Sequence, residues 1–118
     1  MQVEMHLQTV LHSQKKDLDL LFDTPSLIEE LVPIEKELAV IVSRNPDNDT
    51  ITFPTVEMEF SSDANLVEQL ICPTTITPEI DARAKQIAID IINKLKMVGN
   101  LAVEFFLTKD GDLLVNEV

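Results

Sequence analysis

Glu104 and Glu117 flank Lys109-Asp110-Gly111-Asp112 in the stretch Gly99–Val118, GNLAVEFFLTKDGDLLVNEV. Asp-Gly between two β-forming runs is a strong hairpin signal, because a two-residue type I′ turn needs φ > 0 at both central positions. With Asp110 and Gly111 at that turn, Lys109 pairs with Asp112, Phe106 faces Val115, and Glu104 faces Glu117. Two carboxylates directly opposite each other on one sheet face repel. A cation between them removes the repulsion, and carboxylates are hard oxygen ligands suited to Mg2+ held together with substrate phosphates. The alternative is a solvated face on which screening softens the clash. The pairing also depends on register: a one-residue bulge at the turn would put the two glutamates on opposite faces.

A second acidic cluster is Ile28-Glu29-Glu30-Leu31-Val32-Pro33-Ile34-Glu35-Lys36-Glu37. A strand ending at a proline leaves backbone donors and acceptors unpaired. Such a segment can read the edge of a flat heterocycle with main-chain groups, and a nearby carboxylate can take a ribose hydroxyl. A charged loop between two strands accounts for the same residues. Other chemistry finds little support. No Ser/His/Asp or Cys/His arrangement is evident, and neither histidine has a partner at metal spacing. With two glycines in the chain there is no glycine-rich phosphate loop of the usual kinds.

The elements that must position these residues follow from periodicity. Residues 1–11 alternate imperfectly and read as a strand in which His6 is an exposed residue. Ser13 caps a short helix running to about Phe22, which Asp23-Thr24-Pro25 breaks. Ser26–Pro33 reads as a short strand, and Glu35–Arg44 as a strand with a strongly β-prone centre. Asn45–Asp49 is turn chemistry, so Ile51–Pro54 pairs back as a second arm. Val56–Ser61 alternates Val56, Met58 and Phe60 against Glu57 and Glu59, a strand with one wet face; Leu66–Ile71 is a further strand. One long helix spans Pro78–Met97: Thr77 caps it, and Glu79 and Asp81 suit its positive end. Ile80, Ala84, Ile87, Ala88, Ile91, Ile92 and Leu95 form its apolar face, and Gly99 stops it. The expected class is α+β: an antiparallel sheet with one long helix covering one face and one short helix.

Composition narrows the function classes. At 118 residues, 45% apolar and 25% charged, the chain reads as one domain able to bury a core. Five Phe with no Trp or Tyr make that core aliphatic. A net charge of −12 argues against binding a nucleic-acid backbone, which depends on Lys and Arg. It leaves room for a nucleotide carried in with its metal. The single cysteine, Cys72, excludes an intrachain disulfide and fits a cytoplasmic setting. No apolar run approaches the length of a membrane span, so no membrane partner is expected.

Three stretches together, LIEELVPIEKELAVIVSRN, FPTVE and NLAVEFFLTKDGDLLVNEV, resemble the ATP-grasp domain of carboxyaminoimidazole ribonucleotide synthetase. This is the ATPase subunit of phosphoribosylaminoimidazole carboxylase in purine biosynthesis, and the resemblance covers about residues 8 to 118. It implies a ligase that activates bicarbonate with ATP to carboxyphosphate and passes the carboxyl group to aminoimidazole ribonucleotide. By position, Glu104 and Glu117 match the family's magnesium-binding glutamates, and Asn116 the neighbouring residue that can share the metal. Phe106 matches an apolar side chain against adenine. Glu29, Glu30, Leu31 and Val32 match the segment whose backbone reads the adenine edge, and Glu37 the carboxylate that binds ribose hydroxyls.

The departures from the family are local. Glu4-Met5-His6-Leu7-Gln8 stands where the family has an Asp-Gly-x-Gly-Gln phosphate loop, and Met58 where an Asn is usual. The family's amino-terminal domain and its carboxyl-terminal Ala-Pro-Arg segment have no counterpart in these residues. The expectation is therefore a partial ATP-grasp domain over residues 1–118, inactive by itself. Two competing readings remain at this point. One is a non-catalytic module that forms a homodimer through exposed sheet edges. The other is part of another ATP-grasp carboxylase or ligase.

Overall fold

The computed structural model describes residues 32–60 and 67–118, all within one compact unit, Val32–Val118. The expected strand at 1–11, the short helix from Ser13 to Phe22, and Glu29, Glu30 and Leu31 lie outside the described residues.

The element order is β1 (Ile34–Arg44), β2 (Thr50–Thr52), β3 (Val56–Phe60), β4 (Val67–Ile71), α1 (Pro78–Lys94), β5 (Gly99–Thr108) and β6 (Leu113–Glu117). All pairings are antiparallel, in the order β4-β3-β1-β5-β6. β2 and β3 share one edge of β1: Val42–Arg44 pair with β2, and Glu37–Ala39 with β3. The sheet and the one long helix among the described residues are the α+β arrangement expected from periodicity.

β1 is the central strand, with β2 and β3 on one edge and β5 on the other, and the centre of its helix-side face is fully buried. Leu38, Val40 and Val42 are fully buried, and they join Val103, Phe105, Leu107 and Leu113 against Ala84, Ala88 and Ile92 of α1. Small residues at two of the three fully buried helix positions bring α1 close to the sheet. We call the α1 side of the sheet the rear. By strand alternation, Glu37, Ala39 and Ile41 of β1 and Ala102, Glu104 and Phe106 of β5 face the front.

The helix starts as its sequence indicates. Thr77 is extended and its hydroxyl accepts from the Ile80 N–H at 3.4 Å, with Pro78 in the first turn. Its end differs from the expected stop at Gly99. Lys96 takes the left-handed conformation at φ +52, where its N–H donates to the Asn93 carbonyl at 3.1 Å. The Met97 N–H reaches the Ile92 carbonyl at 3.2 Å, completing a Schellman closure. Gly99 instead opens β5 at φ +123. A lysine tolerates this position because two backbone hydrogen bonds offset the steric cost of the left-handed region.

β3 is amphipathic in the opposite sense to a strand whose apolar side meets the helix. Glu57 pairs with Leu38 and so lies on the rear, whereas Met58 pairs with Glu37 on the front. The rear carboxylate is held by Lys36, whose ammonium donates to Glu57 Oε1 at 2.6 Å and to Thr75 Oγ1 at 3.0 Å. At the start of β3 the buried Thr55 hydroxyl donates to Asp81 Oδ1 at 2.5 Å, which ties the strand to the first turn of α1.

Candidate functional site

The front face carries the acidic pair. Glu104 pairs with Glu117, but by a route that differs from a two-residue turn. The Thr108 N–H donates to the Asp112 carbonyl at 2.9 Å, which encloses a three-residue loop, Lys109-Asp110-Gly111. Only Gly111 has positive φ there, at +85, so this is a type I turn closed by a glycine bulge rather than a type I′ turn. The Thr108 hydroxyl accepts the Asp112 N–H at 3.1 Å and holds the loop in this form. In consequence Phe106 pairs with Leu114, not Val115, and Leu107 with Leu113. A bulge then leaves Asn116 as the extra residue of β6 and restores the register at Glu104 and Glu117. The pairing expected from the sequence holds because the longer loop and the bulge cancel.

Two ladder rows define the front. In the first, Val56, Ala39, Glu104 and Glu117 lie side by side across β3, β1, β5 and β6. In the second, one step along, are Leu70, Met58, Glu37, Phe106 and Leu114 across β4, β3, β1, β5 and β6. The structure therefore brings Glu37, Phe106, Glu104 and Glu117 to one face, with Asn116 beside Glu117 in the chain. Val32 lies just before β1, where its carbonyl accepts the Ile34 N–H at 2.9 Å, and it belongs to no strand.

The electrostatics match this geometry. Burial pushes the Glu104 carboxyl above the usual glutamate range, and the charge of Glu117 pushes it further. Burial also raises Glu37, with the nearby Glu104 as the second cause. Both effects disfavour the ionised carboxylate. A divalent cation would reverse them, so the donor set fits a hard metal ion. Among the described residues no three His, Cys, Asp or Glu side chains converge as a complete metal site. Two opposed carboxylates suit an ion that takes its remaining ligands from phosphates and water.

Sequence reading missed the placement of Met58 beside Glu37. Alternation separates the faces of β3 but does not say which one meets the helix. The opposite charges of Lys36 and Glu57 were the available signal, since a partnered Glu57 can turn to the rear.

The ATP-grasp domain model matches residues 4–118. The chain belongs to the ATP-grasp family. Among its relatives, N5-carboxyaminoimidazole ribonucleotide synthase of Bacillus subtilis is 40% identical over 92 residues, covering 78% of this chain and 24% of that protein. The crystal structure of N5-carboxyaminoimidazole ribonucleotide synthetase from Thermotoga maritima superposes with a TM-score of 0.78 at 38% identity. The match covers 88% of this chain and 27% of that one. The Aspergillus clavatus N5-carboxyaminoimidazole synthase, solved with ADP and 5-aminoimidazole ribonucleotide, gives a TM-score of 0.71 at 26% identity, over 86% of this chain and 27% of its own. The ATP-grasp chain described here thus spans about a quarter of the length of these relatives, which are the enzymes its sequence resembles. In its ATP-grasp sheet no described helix is long and apolar enough to cross a membrane.

Proposed function

We propose that this sheet forms the nucleotide- and metal-binding wall of an ATP-dependent ligase of purine biosynthesis, one that carboxylates aminoimidazole ribonucleotide with bicarbonate in the cytoplasm. The observation that carries the reading is the opposed pair Glu104 and Glu117 on the same face as Phe106 and Glu37. In it, Glu104, Glu117 and Asn116 hold Mg2+ against the phosphates of ATP. Phe106 packs on the adenine, and Glu37, the only charge in its row among the described residues, accepts a ribose hydroxyl. The backbone of Glu29, Glu30, Leu31 and Val32 reads the adenine edge.

The chemistry assigned to the complete enzyme is phosphoryl transfer followed by acyl transfer. A bicarbonate oxygen takes the γ-phosphoryl group and ADP leaves. The carboxyl group of the resulting carboxyphosphate then passes to the exocyclic amine, releasing inorganic phosphate. Bound magnesium supplies charge neutralisation at the phosphate oxygens. Glu104 and Glu117 would hold that ion and do not act as bases.

Calorimetric titration of Mg-ATP tests the reading. Wild type is expected to bind with an affinity that falls on removing Mg2+. The Glu104→Ala/Glu117→Ala double variant is expected to lose about tenfold or more, as removal of charged ligands does. Equal affinity in both proteins, with or without Mg2+, would remove the metal assignment. The exposed Val67 and Leu70 on β4, the edge strand among the described residues, also favour a homodimer formed along that edge. A monomer by light scattering at high concentration would exclude it.

A further inference from the structure

Among the described residues, the row that contains Glu37 holds no other charged side chain. Met58 on β3 and Phe106 on β5 are its direct neighbours, and they are only 8% and 9% exposed. Leu70 and Leu114 extend the row at either end. Among the described residues the carboxylate that approaches is Glu104, diagonally placed in the next row. Among the described residues no side chain donates a hydrogen bond to Glu37 and no cation pairs with it.

A carboxylate open to water loses little when a ligand lacks a hydroxyl, because water replaces it. Glu37 is half-buried between two apolar neighbours, so water makes that exchange poorly and an unpaired acceptor there carries part of its desolvation cost. We propose that Met58 is a specificity-determining residue of the nucleotide site. By closing the β3 side of Glu37 against water, it makes that carboxylate dependent on a ligand hydroxyl, so that nucleotides lacking it are rejected. This rests on the reading of Glu37 as the ribose acceptor. Phe106 would serve the same wall from β5, but its proposed contact with the base makes it a poor probe. Met58 has no other assigned part.

The test compares binding of Mg-ATP, Mg-2′-deoxy-ATP and Mg-3′-deoxy-ATP to the chain in wild type, Met58→Leu, Met58→Asn and Met58→Gln. Wild type and Met58→Leu should prefer ATP over one of the deoxy analogues by about tenfold or more. In Met58→Asn and Met58→Gln, which bring a donor to Glu37, the preference should shrink to about threefold or less through tighter binding of the analogue. Two polar variants are used so that one failing to fold leaves the other informative. An unchanged preference in a folded polar variant overturns the proposal, as does a wild type that binds ATP and both analogues alike. That second result leaves the nucleotide site standing. Absence of any ATP binding by wild type removes the nucleotide site and this inference with it.

Discussion

Glu104 on β5 lies opposite Glu117 on β6, one residue beyond the bulge at Asn116. Neither carboxylate is offset by a cation among the described residues, and Glu104 is raised above the usual glutamate range by burial and then by Glu117. Between the ordinary and the raised value the folded chain holds a proton that the unfolded chain has released. Stability therefore falls as pH rises through that window, and Glu37 acts in the same sense. Melting curves taken from acid to neutral pH should show this fall, and Glu104→Gln should flatten it and raise the neutral melting temperature. Excess Mg2+ should raise the melting temperature of wild type more than that of Glu104→Gln. A wild type that gains stability steadily across the window would contradict the assignment.

The rear ion pair should matter more than a surface pair. Lys36 and Glu57 are 2.6 Å apart with side chains 23% and 12% exposed. Lys36→Met leaves Glu57 partly buried without its partner and should cost about 1–3 kcal/mol in urea unfolding. Lys36→Met/Glu57→Met should recover part of that loss, because the stranded charge is gone. Additive losses in the double variant would show that the two side chains do not act as a pair.

The Thr55–Asp81 bond is a second tie between sheet and helix. Thr55→Val removes the donor at a position 3% exposed and should cost about 1–2 kcal/mol. Burial opposes ionisation of Asp81, but hydrogen bonds from Lys85 and Thr55, with the Lys85 charge, hold its pKa below the usual value. The stability it contributes is present at neutral pH and lost as pH falls through the lowered value. Asp81→Asn should therefore weaken the neutral protein and reduce its acid sensitivity, read from melting temperature against pH.

Two left-handed positions give opposite expectations. Lys96 at φ +52 carries a steric cost that glycine lacks, so Lys96→Gly should stabilise by up to about 1 kcal/mol. Gly111 at φ +85 already uses that freedom, and Gly111→Ala should destabilise by about 1–2 kcal/mol. A side chain there meets no atom within 4 Å, so the loss would come from backbone conformation alone. Thermal melts of the two variants should move in opposite directions.

Much of this was legible because the signals are local. Helical spacing from Ile80 to Ile92 and the Thr77-Pro78 start define α1, and the turn residues Asn45–Asp49 join β1 to β2. The hairpin that carries Glu104 and Glu117 was legible in outline. Its details were not, because Asp110-Gly111 satisfies a two-residue and a three-residue loop alike. The hydroxyl of Thr108 and a bulge near the far end of β6 select between them.

By itself, then, the sequence determined the strands and the long helix among the described residues, a mainly aliphatic core, and the hairpin that carries the two glutamates. Each depends on residues close in the chain or on a simple period. The tertiary structure decided which face of β3 meets the helix and hence what stands beside Glu37. Alternation defines two faces without ranking them. The ranking comes from Lys36 reaching Glu57 across 21 positions of chain, which stabilises a carboxylate at the rear and sends Met58 to the front.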